Sequence, residues 1–103
     1  MALQAAFIFL SPDADYPMTE TLVKTDSVEL TVVPVMNYAQ ATEVASDLTN
    51  RGIVSIELCG GFGNTGVAKI SETVGDKASV GDVRFDCHSG LDGQSGDAIF
   101  AGN

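Results

Sequence analysis

The chain has no tryptophan, one histidine, two cysteines, three prolines and five basic residues among its 103. Each shortage excludes something. Five Lys and Arg against fourteen Asp and Glu leave a formal charge of −9. Electrostatic binding of nucleic acid needs cations to displace phosphate counterions, so nucleic acid is not an expected partner. The same deficit disfavours an anionic lipid surface. Cys59 and Cys87 are too few for the disulfide framework of a small secreted domain. No apolar run approaches the roughly 20 residues that span a bilayer. The first ten residues are apolar but lack the basic start and small-residue cleavage site of a signal peptide. The expectation is a cytoplasmic chain with reduced thiols and no membrane partner.

What is present is core material. Apolar residues make up 45% of the chain, too many for a disordered segment. The length allows one domain with one core, spanning 1–103, with a glycine-rich tail over 87–103. A short chain this apolar is also expected to hide surface between subunits, as a homo-oligomer.

The segments alternate in type. Leu3 to Leu10 is a nearly unbroken apolar run with Phe7, Ile8 and Phe9, as in a strand buried on both faces. Pro17 suits the first turn of a short helix reaching Lys24, although Thr21, Val23 and Thr25 also suit an extended segment. Val28 to Val35 reads as a second strand. Asn37 can cap a helix through Asn50, with Ala41, Val44, Ala45 and Leu48 as its apolar stripe and Gly52 ending it. Ile53 to Leu58 is a third strand, Thr65 to Val74 a second firm helix, and Val80 to Asp86 a fourth strand. This order predicts a small α/β fold in two or three layers, with a mostly parallel four-stranded sheet in the flavodoxin-like order 2-1-3-4. A ferredoxin-like α+β sandwich is the alternative if the segment after Pro17 is not a crossover helix. Strand alternation puts Glu57 and Arg84 on one semi-open face, where they are expected to form an ion pair and to line a pocket or a subunit contact.

Two groups of residues suggest chemistry. Gly61-Phe62-Gly63-Asn64-Thr65-Gly66 matches G-x-G-x-x-G between a strand and a helix, and Asp86 lies 20 residues past Gly66. The chain is too short for both halves of a dinucleotide fold. The broader expectation is that backbone N–H groups at Asn64, Thr65 and Gly66 hold a small anion, with Asp86 orienting it. A turn that needs glycine only for packing is the competing reading.

Cys59, Asp86, Cys87 and His88 fall at the carboxyl ends of strands three and four, the edge where open α/β sheets bind ligands. Their spacing matches no known zinc pattern, so no metal is assigned. Cys59 before a helix N-terminus, with His88 as its base, would make a small enzyme. Otherwise Cys59 is a small buried hydrophobe. His88, the only histidine, is the first candidate for an acid/base or ligand contact. Asp13 and Asn37 also fall at strand ends. The tail from Ser89 to Asp97 lacks the spacing of an EF-hand. It is read as packed or docked through Ile99 and Phe100 in preference to a flap. No cofactor is identified.

The run Ile56-Glu57-Leu58-Cys59-Gly60-Gly61-Phe62-Gly63, followed by Arg84-Phe85-Asp86 and His88, resembles a family of short prokaryotic proteins of unknown function. The resemblance covers nearly the whole chain. It implies a single small α/β domain, oligomeric, and carries no catalytic residues with it. The expected function is therefore the binding of a small anionic ligand at the carboxyl edge. A structural subunit without ligand, or an enzyme using His88 with Cys59, are the alternatives.

Overall fold

A computed structural model describes residues 1–15, 19–85 and 88–101. Five strands form one mixed sheet: β1 (Leu3–Leu10), β2 (Thr21–Lys24), β3 (Val28–Val35), β4 (Ser55–Leu58) and β5 (Ser79–Asp82). Their order is β2-β3-β1-β4-β5. Strands β3, β1, β4 and β5 run parallel, while β2 pairs antiparallel with β3. Three helices accompany them: α1 (Tyr38–Asn50), α2 (Asn64–Val74) and a short α3 (Gly96–Phe100). No helix among the described residues is long and apolar enough to cross a membrane.

The small α/β class is as expected, but the strand count and full order differ from the expectation. The four expected strands are neighbours in the sequence β3-β1-β4-β5, and a fifth, β2, is added at the edge. It occupies Thr21–Lys24, where a crossover helix was expected; Pro17 itself lies outside the described residues. The β-branched Thr21 and Val23 pair with Val32 and Leu30. All four β2 residues are exposed, so no burial pattern marked the segment as a strand. The sheet nevertheless stays largely parallel, which excludes the ferredoxin-like alternative.

The connections decide which face is covered. The crossovers β3–α1–β4 and β4–α2–β5 step the same way across the sheet, and parallel crossovers are right-handed. Both helices therefore lie on one face. There Ala6, Ile8, Val33, Val35, Ile56 and Leu58 are fully buried against Ala41, Val44, Ala45 and Leu48 of α1 and Ile70 of α2. The one leg that steps the other way, from β1 to β3, carries β2 in place of a helix. The fold is thus two layers rather than three.

Local signals set the helix ends. Asn37 accepts a hydrogen bond from Gln40 N–H at 2.8 Å and caps α1. Gly52 follows α1 at φ +94°, a left-handed conformation that glycine adopts without strain. Strand β5 stops at Asp82, four residues short of the expected end. Leu58 ends β4, and its carbonyl accepts from Val83 N–H at 2.9 Å. Beyond it β4 offers no further edge to pair with.

Candidate functional site

The carboxyl ends of β3, β1, β4 and β5 bring Asn37, Ser11–Asp13, the turn 59–66, Val83–Phe85 and His88 to one edge. The tail returns to the same edge. Phe100 is buried and packs on Tyr38, whose ring stacks on Phe62 with centroids 5.5 Å apart. The tail is therefore packed within the chain, through Phe100, and Ile99 remains partly exposed.

The glycine turn does hold an anion, and that anion is the chain's own. The first N–H groups of any helix lack intrahelical acceptors. Gly63, the cap of α2, supplies no side chain. Asp97 supplies both oxygens instead: Oδ2 accepts from Thr65 N–H at 3.0 Å, and Oδ1 accepts from Gly66 N–H at 3.2 Å. The Tyr38 hydroxyl donates to the same Oδ1 at 2.7 Å and accepts from Gly63 N–H at 2.9 Å. Ser95 Oγ accepts from Asp97 N–H at 3.1 Å and fixes the start of α3. The expectation that Thr65 and Gly66 N–H bind an external ligand is corrected accordingly.

The charges fit this arrangement. Burial works against the Asp97 carboxylate, but the bonds donated by Thr65 N–H, the Tyr38 hydroxyl and Gly66 N–H outweigh it. The carboxyl sits below the usual aspartate range. Burial, opposed by the bond from Gly63 N–H and reinforced by Asp97, raises the Tyr38 phenol well above its ordinary range. Tyr38 is therefore a constant donor at neutral pH.

The same contacts explain two of the three glycines of G-x-G-x-x-G, Gly63 and Gly66. Gly63 has φ −82°, open to any residue, but a Cβ there would come within 2.5 Å of the Asp97 carboxyl and Ser95 Oγ. A Cβ on Gly66 would lie 2.5 Å from the Tyr38 ring. The pattern serves close packing of Tyr38 and Asp97, which favours the packing reading of the turn over the dinucleotide one.

The remaining candidates fall into three groups. Asp86 and Cys87 lie outside the described residues. Glu57 and Arg84 form no ion pair: Glu57 registers with Gly81, which puts Arg84 on the opposite parity and past the end of β5. The expectation that the two residues share a face fails by one residue of register between β4 and β5. Asn37 and Asp13 are used locally, as the α1 cap and as the acceptor of the Ser11 hydroxyl at 2.6 Å.

Cys59 Sγ accepts from Leu10 N–H and Gly61 N–H, both at 3.4 Å, and so ties β1 to the turn. His88 Nδ1 accepts from Gly90 N–H at 3.0 Å, which leaves the proton of the neutral ring on Nε2. Its ring lies against Phe85, with centroids 4.4 Å apart. No hydrogen bond joins Cys59 to His88 among the described residues, so the nucleophile–base pair is not assembled.

Two clefts meet at His88 and Gln94. One, of about 280 Å³, is polar and is lined by Asn64, Asp82, Arg84 and Ser95. Gly63 also lines it. The other, of about 420 Å³, is lined by Leu10, Cys59, Gly61, Leu91, Ile99 and Phe100. Arg84 is exposed and has no carboxylate within ion-pair distance among the described residues. Sequence reasoning missed Tyr38, Asp97 and Gln94. Only Asp97 carried a signal: Ser95 two residues before it is a helix-start pattern.

These features define a small two-layer α/β domain with a candidate ligand site at the carboxyl edge of its sheet. The chain belongs to a family of unknown function, DUF6506, whose model matches residues 3–98. No curated protein and no solved structure matches it.

Proposed function

We propose that the chain is a cytoplasmic binding domain for a small molecule with one anionic group and an apolar part. The observation that carries this reading is Arg84, a cation that lines the polar cleft at the ligand edge of an α/β sheet and has no carboxylate within ion-pair distance among the described residues. Arg84 takes the anionic group, with the donor Nε2–H of His88 beside it. The adjoining cleft of Leu10, Leu91 and Phe100 takes the apolar part. Asp82 in the first cleft and Asp92 in the second disfavour a polyphosphate. The net charge of −9 likewise disfavours nucleic acid.

The test is a thermal-shift screen against small carboxylic acids, phosphorylated metabolites, nucleotides and divalent metals. A ligand at 100 times its dissociation constant stabilises the folded state by about 2.7 kcal/mol. The expected result is a shift with a mono-anionic compound that Arg84→Ala removes. No shift from any compound, or a shift that Arg84→Ala leaves intact, overturns the reading. The first of these outcomes favours a structural subunit without ligand.

A further inference from the structure

The polar cleft holds two opposite charges that do not meet. Ile56, buried under the helices, registers with Val80, and Val80 packs against the same core. Side chains alternate between the faces of a strand. Asp82 therefore follows Val80 on the helix-covered side, just past the core. The bond from Val83 N–H to the Leu58 carbonyl continues the ladder by one residue, and Arg84 comes next on the same side. Both Asp82 and Arg84 line the cleft of about 280 Å³, together with Asn64 at the start of α2 and Gln94 of the tail. Two residues along a strand cover only about 6.6 Å, so the two side chains are within reach of each other. Neither has an ion-pair partner among the described residues.

That pair restricts the ligand further than a cation alone. A purely anionic molecule on Arg84 brings its charge beside the Asp82 carboxylate, which repels it. A molecule that carries a cation next to its anion satisfies both groups. The head of an α-amino acid is such a zwitterion. Its carboxylate matches the two-pronged guanidinium of Arg84. Its ammonium has three donors, for the Asp82 carboxylate and the side-chain carbonyl oxygens of Asn64 and Gln94. Gln94 also lines the second cleft, where Leu10, Leu91 and Phe100 offer apolar surface to a side chain. Asp92 on that cleft disfavours an acidic side chain. A zwitterion with an apolar side chain has no net charge, so the −9 of the protein does not repel it on approach.

We propose that the ligand is an apolar α-amino acid, with its carboxylate on Arg84 and its ammonium on Asp82. This assignment rests on the reading of the carboxyl edge as a ligand site and names the chemical class that the site takes. Asp82 is the residue that separates an amino acid from the corresponding carboxylic acid.

Titration calorimetry on the full chain tests this with probes that share a side chain. Leucine is compared with 4-methylpentanoate, which lacks the amine, and with 3-methylbutylamine, which lacks the carboxylate. Phenylalanine, 3-phenylpropanoate and 2-phenylethylamine form a second set. In at least one set the amino acid is expected to bind about 5-fold or more tightly than its deaminated acid, as one exposed ion pair allows. Asp82→Asn removes that preference without weakening the acid, and Arg84→Ala weakens both. Both side chains are exposed, so the variants keep the fold. An acid that binds as tightly as its amino acid overturns the zwitterion and leaves the anion site at Arg84 standing. A preference that survives Asp82→Asn overturns the placement of the ammonium. Absence of binding by every probe also overturns the proposal, and a hit by another class in the thermal-shift screen, lost in Arg84→Ala, then keeps the broader ligand reading.

Discussion

Tyr38 is almost completely buried, and a hydroxyl in that position must find partners. It finds Gly63 N–H and Asp97, and through them it ties α1, the glycine turn and the tail together. Tyr38→Phe leaves Gly63 N–H without its acceptor and is expected to cost about 1–3 kcal/mol in urea unfolding. Asp97→Asn removes charge-assisted bonds to Thr65 and Gly66. With its partial exposure discounted, it is expected to cost about 1–2 kcal/mol. The two losses should not add, and a double-mutant cycle should show a coupling of about 0.5–3 kcal/mol. The pH dependence follows from the sign of the shift. The Asp97 carboxyl is lower in the folded chain than in the unfolded one, so its contribution is present above an unfolded value of about 3.9. It is lost as pH falls through the folded value. The stability gap between wild type and Asp97→Asn should therefore be constant near neutrality and close below about pH 4.

At the scale of elements, α1 was legible down to its cap. Its stripe repeats at helical spacing, and Asn37 stands where the caps are chosen. Helix α2 was equally legible by its apolar face, but the reason for its glycines was not. Alanine at position 66 would ordinarily favour a helix by about 1 kcal/mol over glycine. Here its Cβ meets the Tyr38 ring, and overpacking of this kind costs about 1–3 kcal/mol. Gly66→Ala is expected to lower the melting temperature despite its helix propensity; a rise would mean that the ring moves aside freely. Strand β2 was illegible for a different reason. Four exposed residues carry no period, and only their register with β3 makes them a strand.

At the scale of the molecule, the two faces of the sheet separate residues that look alike in the sequence. Leu58 and Phe7 both belong to apolar runs and both read as core. Leu58 is fully buried under the helices, whereas Phe7 lies on the other face, which no described helix covers. Leu58→Ala is expected to cost about 2–5 kcal/mol in chemical denaturation. Phe7→Ala, measured where the chain is a single copy, should cost clearly less. Equal losses would mean that another part of the chain covers Phe7. The ligand reading belongs to this scale as well. Arg84 lies by the cleft because β5 runs out of partner edge at Leu58.

Local preference and periodicity, written in the residues themselves, determined the α/β class, both long helices and the edge at which candidate residues collect. These depend on neighbours three or four positions away, or on alternation within one strand. The tertiary structure alone decided what the glycine turn holds, because Asp97 reaches Thr65 and Gly66 from about thirty residues further along the chain. It alone decided that Glu57 and Arg84 part, because a shift of one residue in register reverses a side chain's face. It alone decided that no described helix covers one sheet face, because that depends on whether the leg from β1 to β3 carries a helix or the strand β2. The opening scarcity of positive charge thereby acquires a position: one of the five cations, Arg84, stands at the ligand edge.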